Sequence, residues 1–379
     1  MQIPRLVLVG AGHAHLHVVR HLAAFTRRGV QVMLVDPGCF WYSGLATGML
    51  AGQYPCEADW LDPAPLIEQA GGTFMRDRVD RLDLEAQCAH TAGGTCVPWD
   101  AISFNIGSEV ATDAIHGAAE HAWPVKPIAG LCRLRYRLVD LFQQHPHPRI
   151  TVVGGGPTAC EIAAGIEQLA HAHGAAIQLR LCSSAARLIA DWPARASSAL
   201  TRELHSRSIR IENDCRIIRC HSDHVEAADG RQHESDLTIL ATGLRAPSLT
   251  GGLGLPADRA HGLHVNACLQ STAHPRIFGA GDCIRFNDRP LPKVGIYGVR
   301  AGPILRDNLL AVLRGLPLRP FRPQRRYLVI LNLGRDRALA MRGRWWWLGR
   351  GPMWWKHWLD HRFMQRHRPH PRPRRRNWQ

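Results

Sequence analysis

Two segments of this chain repeat one plan, and the repeat restricts the folds open to it. "RLVLVGAGHAHLHVVRHLAAFTRRGVQVMLVD", from Arg5 to Asp36, runs as an apolar strand, a Gly10-x-Gly12 turn, an amphipathic helix and a second apolar strand closing on an acid. "RITVVGGGPTACEIAAGIEQLA", from Arg149 to Ala170, repeats strand, Gly154-x-Gly156 turn and helix, and "AIQLRLCSS" follows as its second strand. Glycines in such a turn let the backbone approach a pyrophosphate at the helix N-terminus, where unpaired amides and the helix dipole attract negative charge. Two turns predict two dinucleotides, held by two Rossmann-like units of an α/β fold. A length of 379 residues agrees, being too long for one ordinary core.

In the first unit His13 and Ala14 open the helix, and His15 stands where a third glycine would serve close helix-on-strand packing. Asp36 follows Gly12 by 36 − 12 = 24 residues, close to the spacing at which an acid meets an adenosine ribose. His13, His17 and His21 recur at i, i+4 and i+8 and so share one helical face. No acid or thiol close in sequence completes a metal site there, so we expect polar or partly buried helix residues and no bound metal. In the second unit Ala159 takes the third position and Ser183 ends the second strand. No acid stands there for the NAD ribose, while nearby Arg187 suits a 2′-phosphate, which leaves NADH and NADPH both open.

Three further pieces fall in order: "WDAISFNIGS" turns at Gly107, "DLTILATG" at Gly243, and "HPRIFGAGDC" closes on Gly281 and Asp282. With both turns, this set resembles the flavin-dependent pyridine nucleotide-disulfide oxidoreductase superfamily. "PGCFWYSGLATGMLAGQY", "PVKPI", "RPLPKVGIYGVRAGP" and "WWKHWLDHRFM" are similar to its type II NADH dehydrogenase-like branch, in particular the flavoprotein module found fused to selenide, water dikinase. The dikinase's own domain is absent, so selenide chemistry is not implied.

The resemblance implies an FAD domain at 1–122 and 243–316, interrupted by an NAD(P) domain at 123–242, with a C-terminal α+β extension at 317–379. It implies an enzyme that moves electrons from NADH or NADPH through FAD to a quinone or another small acceptor. A soluble reductase of a protein, sulfur or selenium acceptor is the alternative. Asp282 is then the aspartate that meets the FAD ribityl and pyrophosphate, and Tyr42, Ser43, Gly44 and Tyr297 line the flavin. Lys126 and Lys293 fall near the ring, where an ammonium stabilises negative charge; an exposed lysine is the plain alternative. Glu161 matches a glutamate of the branch, placed between nicotinamide and acceptor or else stabilising its helix N-terminus. Ala301 departs from the glutamine expected there.

Eleven cysteines lack the dense spacing of a disulfide scaffold. Cys39 and Cys56 are too distant in sequence to suggest a redox pair, and the short spacing from Cys215 to Cys220 falls in the second unit. Cys160 reads as a packing residue rather than a reactive thiol. A strand-like run starts just after Met1 and no apolar run suits a spanning helix, so a cytoplasmic location without signal peptide is expected. Much of the net charge of +16 lies after Arg335, in a region that ends "QRHRPHPRPRRRNWQ". Trp354, Trp355, Trp358, Leu359 and Phe363, mixed with Lys356, His357, Arg362 and Arg366, suit an anionic membrane surface or a homodimer or domain interface. No nucleic-acid fold motif accompanies the basic tail, which argues against nucleic acid.

Overall fold

The computed structural model describes residues 3–286 and 289–367. The basic run from 368 onward, on which the nucleic-acid reading rested, lies outside them.

Five parallel strands form the first sheet, in the order Ile277–Gly279, Ala101–Phe104, Arg5–Val9, Gln31–Val35 and Thr73–Met75. Helices cover such sheets on both faces, so the strands read as continuous apolar runs, and Leu6, Val7, Leu8 and Val9 are all buried. Val9 pairs with Val35 and Phe104, and Phe104 with Gly279. That register brings Gly10, Asp36, Asn105 and the Gly281–Asp282 turn out at one edge, the carboxyl edge where α/β sheets bind ligands.

A second parallel sheet repeats the arrangement, with Ala122–Pro124, Leu237–Leu240, Arg149–Val153, Gln178–Cys182 and Arg210–Glu212 in order. Val153 pairs with Cys182 and Leu240, so Gly154, Ser183 and Ala241 share its carboxyl edge. A small antiparallel sheet, Ile217–Cys220, His224–Ala227 and Gln232–Glu234, belongs to the same region.

After the helix Gly295–Val312 the chain forms an antiparallel sheet of Val329–Asn332, Ala338–Arg342 and Trp345–Gly349, one strand more than a hairpin, then the helix Arg350–His367. This end of the chain is not an appendage. Leu331, Leu333 and Leu339 are buried in the core of the second sheet, whereas Phe321 and Met364 enter that of the first. Each buried aliphatic side chain contributes about 1.5–3 kcal/mol, enough to fasten the extension to both.

Two disulfides form that the cysteine spacing did not signal. Cys56 bonds Cys132, 76 residues away, and Cys88 bonds Cys96 across neighbouring antiparallel strands. Cys39, Cys215 and Cys220 stay free, because pairing follows which strands and helices the fold brings together rather than the interval along the chain.

Candidate functional site

The first turn is shaped by the protein before any ligand enters. Gly10 has φ +85°, and a Cβ there would lie 2.7 Å from the Asn105 carbonyl oxygen; one on Gly12 would lie 2.4 Å from Asn105 Oδ1. Asn105 explains both contacts. Its Oδ1 accepts from the Ala14 and His15 amides at 2.9 and 3.2 Å, its carbonyl accepts from the Gly12 amide, and its Nδ2 donates to the Ala280 carbonyl at 2.7 Å. One side chain thus joins the helix N-terminus to the "GAGD" segment. Asp36 closes the turn from the next strand: Oδ2 accepts from the Ala11 amide at 2.7 Å and Oδ1 from Gly38 at 2.8 Å.

The histidines divide by role. His15 is buried, with Nδ1 2.6 Å from the Gly10 carbonyl and Nε2 2.9 Å from Ser103 Oγ, so it ties the turn to the sheet where glycine would merely have made room. His17 and His21 stack on each other at 4.3 Å. His13 points elsewhere, edge-on to Phe40 at 5.0 Å and near Phe363 at 5.5 Å, and burial pushes its pKa down to about 4. The three rings do not converge on a common point.

At the same edge Asp282 Oδ2 accepts from Ser108 Oγ at 2.7 Å and from Lys126 Nζ at 3.1 Å, while Lys126 Nζ also meets Ser108 Oγ at 2.6 Å. Lys293 donates to the Asp282 and His261 carbonyls. Burial pushes the Asp282 carboxyl up, but the Lys126 ammonium, the Ser108 hydroxyl and the Lys293 ammonium outweigh it and hold the group below its ordinary value. The two lysines, 167 residues apart in sequence (293 − 126), therefore meet at one aspartate rather than lying on the surface.

The helix Arg350–His367 covers the segment after Phe40. Phe363 stacks on Tyr42 at 4.2 Å, Tyr42 donates its hydroxyl to Asp360 Oδ1 at 2.9 Å, and Lys356 Nζ donates to the Gly44 carbonyl and to Asp360 Oδ2. Ser43 Oγ lies beside Gly295, which with Gly298 leaves room for the His13 ring. Beneath this cover Asp59 is fully buried and neither carboxylate oxygen has a hydrogen-bond partner. Burial and the Asp360 carboxylate push its pKa up to about 8. Lys356 and Phe363 thus face inward, as the domain-interface alternative has it, because the helix buries Met353, Lys356, Asp360, Met364 and His367 along one stripe.

Glu161 is held where the three parts of the chain meet. Its Oε1 accepts from the Asn332 amide at 2.7 Å and from Thr47 Oγ1 at 3.3 Å. Burial pushes its carboxyl up against the opposing pull of Lys356 and these two donors. Cys160 beside it is buried and its thiol is pushed up by burial, as suits packing. Tyr297 turns its hydroxyl to the Gln324 carbonyl and its ring edge-on to Tyr327.

In the second unit Gly154 is pressed against the Ala241 carbonyl, and a Cβ on Gly155 would strike Ser183 Oγ. Gly156 differs, since a Cβ there meets no atom within 4 Å; the same holds at Gly107 and Gly243. These open positions are the space a ligand backbone or ring requires, so the residues fit bound dinucleotides. Arg187 does not reach toward a phosphate, its guanidinium donating instead to the Trp192 and Ala190 carbonyls.

The sequence did not single out Asn105, Ser108, Asp59 or Asp360, and it named Lys356 only as a cation suited to an interface. Asn105 and Ser108 stand inside a quoted strand and turn and Asp360 inside a quoted helix; Asp59 carries no local signal.

Residues 4–301 match the model of the pyridine nucleotide-disulphide oxidoreductase family. The chain is 24% identical over 260 residues to a type II NADH:quinone oxidoreductase of Haemophilus influenzae, a match covering 60% of this chain and 59% of that protein. It is 22% identical over 354 residues to a demethylphylloquinone reductase of a Synechocystis species, covering 89% and 86%. The structure of NDH2 from Plasmodium falciparum in complex with NADH superposes with a TM-score of 0.83 at 14% identity, over 97% of this chain and 96% of that one.

Proposed function

The chain belongs to the pyridine nucleotide-disulphide oxidoreductase family, and from that premise we propose that it is an FAD-dependent NAD(P)H oxidoreductase delivering electrons to a quinone or another small acceptor. The observation that carries this reading is the pair of glycine turns at the carboxyl edges of two parallel sheets, with Asp282, Ser108 and Lys126 at the first and the open Gly156 at the second. FAD, when bound, supplies the two-electron chemistry between nicotinamide and acceptor.

The chain's own residues supply position and charge. Gly10, Gly12, His13, Ala14 and Asp36 hold the nucleotide half of FAD, and Gly107, Gly281 and Asp282 its central part. Tyr42, Ser43, Gly44, Gly243 and Tyr297 border the ring. Lys126 and Lys293 bring positive charge to that edge. Gly154 and Gly156 receive the NAD(P)H pyrophosphate. Asp59, protonated up to a pH of about 8, holds a proton at a carboxyl oxygen beneath the C-terminal cover, where an acceptor that gains protons with its electrons needs a donor, and Glu161, its carboxyl pushed up by burial, stands between the units. We divide the chain into an FAD domain of 1–122 and 243–316, an NAD(P) domain of 123–242 and the extension from 317.

The extension also supports a peripheral site on an anionic membrane face, with a cytoplasmic protein as its setting. Trp354, Trp358 and Leu359 are 74%, 48% and 36% exposed on one helix, and the Arg362 guanidinium lies over the Trp358 ring at 5.1 Å. Among the described residues no helix is long and apolar enough to cross a membrane.

An anaerobic absorbance titration tests the central reading. Flavin bands that bleach with NADH or NADPH and return on adding a quinone are expected; a protein that cannot take up FAD overturns it.

A further inference from the structure

Beside the second dinucleotide turn, where the Gly154 amide donates to the Cys182 carbonyl, the second unit gathers two thiols and an imidazole. Cys182 ends the strand Gln178–Cys182, Cys215 follows the strand Arg210–Glu212, and His233 lies within the antiparallel strand Gln232–Glu234. Their ligating atoms all lie within 4.8 Å of one another, and Cys215 Sγ is 3.6 Å from His233 Nε2. Both cysteines are buried at 1% exposure. This is the separation a zinc ion imposes: a sulfur at about 2.3 Å and a nitrogen at about 2.1 Å on neighbouring corners of a tetrahedron are about 3.6 Å apart. His233 also borders a surface cavity of about 420 Å³, lined as well by Arg149, Arg180, Arg210 and Glu234.

We propose that Cys182, Cys215 and His233 form a zinc site, unrelated to the electron-transfer chemistry, that clamps the small antiparallel sheet to the parallel sheet. The three residues come from three separate segments, so one ion adds a tie between parts that also meet through packing, backbone hydrogen bonds and the Arg149–Glu234 and Arg231–Glu212 ion pairs. Binding replaces the two thiol protons by the ion and leaves the oxidation state of sulfur unchanged. The Cys215 amide donates to the Ser183 carbonyl at 2.8 Å, so the clamp also steadies the loop at the carboxyl edge of the second sheet.

Zinc content of the full-length flavoprotein, purified with reductant, dialysed against zinc and then freed of loose metal, is the test. About one ion per chain is expected. His233→Gln, at a half-buried position, should weaken retention by at least about tenfold while leaving FAD content unchanged. Cys215→Ser should abolish it, and chelation should lower the thermal midpoint of the parent protein but not of the variant. The proposal is overturned by zinc that is absent after loading, by retention indifferent to His233→Gln, or by a Cys182–Cys215 disulfide in the peptide map of the reduced preparation.

Discussion

Replacing Asn105 by alanine removes one acceptor shared by the Ala14 and His15 amides and one donor to the Ala280 carbonyl, all in a buried setting. With buried groups left unpaired, a loss of about 3 kcal/mol is expected, seen as a lower denaturation midpoint together with poorer FAD retention; an unchanged midpoint would show that the turn is held by its glycines alone. Asp282→Ala leaves Lys126 facing no carboxylate in a site where the two side chains are 21% and 13% exposed. Breaking such a pair costs about 3–5 kcal/mol, and the purified variant should carry little flavin; normal flavin content after heat release would contradict the assigned contact. Asp282 and the glycines were legible because their chemistry demands a fixed residue at a fixed interval from a strand. Asn105 was not, since its importance comes from a strand crossing beneath a turn 91 residues earlier, as its bond to Ala14 spans. His15 shows the limit from the other side: its position was read correctly and its task, bonding Gly10 and Ser103, was visible only in three dimensions.

At the level of the element, the second turn offers a clean substitution. Gly156 has an extended backbone, φ −84° and ψ 178°, which valine adopts readily, and its Cβ direction is empty. Gly156→Val is therefore expected to preserve fold and FAD while blocking reduction by NADH and NADPH in stopped-flow traces; unaltered reduction would remove the second turn from the nucleotide site. The C-terminal helix makes a pH prediction through Asp59. A carboxyl raised from near 4 when unfolded to about 8 when folded keeps its proton in the native state. The folded form then binds more protons, so this contribution is full at acid pH and is lost as pH rises through about 8. Asp59→Asn should flatten the decline of melting temperature from weakly acid to alkaline buffer, and an identical slope in both proteins would place the titration elsewhere. The sequence announced this helix but not its orientation. Tryptophans among cations left a membrane surface and a domain interface both open, and the stripe from Met353 to His367 buries a lysine and an aspartate that satisfy each other.

For the whole molecule, the two sheets were readable from paired strand and turn patterns, but the union of three parts at Glu161 was not. Thr47, Glu161 and Asn332 lie in segments that no local periodicity connects. The disulfide from Cys56 to Cys132 was hidden for the same reason. Membrane attachment belongs to this scale as well. Trp354→Ala combined with Trp358→Ala should abolish flotation with anionic liposomes and spare flavin content, a gentler variant than deleting residues after Arg342, which would also strip the cover from Tyr42. Flotation that survives the double substitution would assign these rings to a contact between proteins.

That cover has a consequence in time. Translation completes both parallel sheets and the segment from Tyr42 to Asp59 well before residues 350–367 leave the ribosome. A nascent chain thus lacks the Asp360, Lys356 and Phe363 partners of Tyr42 and Gly44 until the helix Arg350–His367 emerges and covers them.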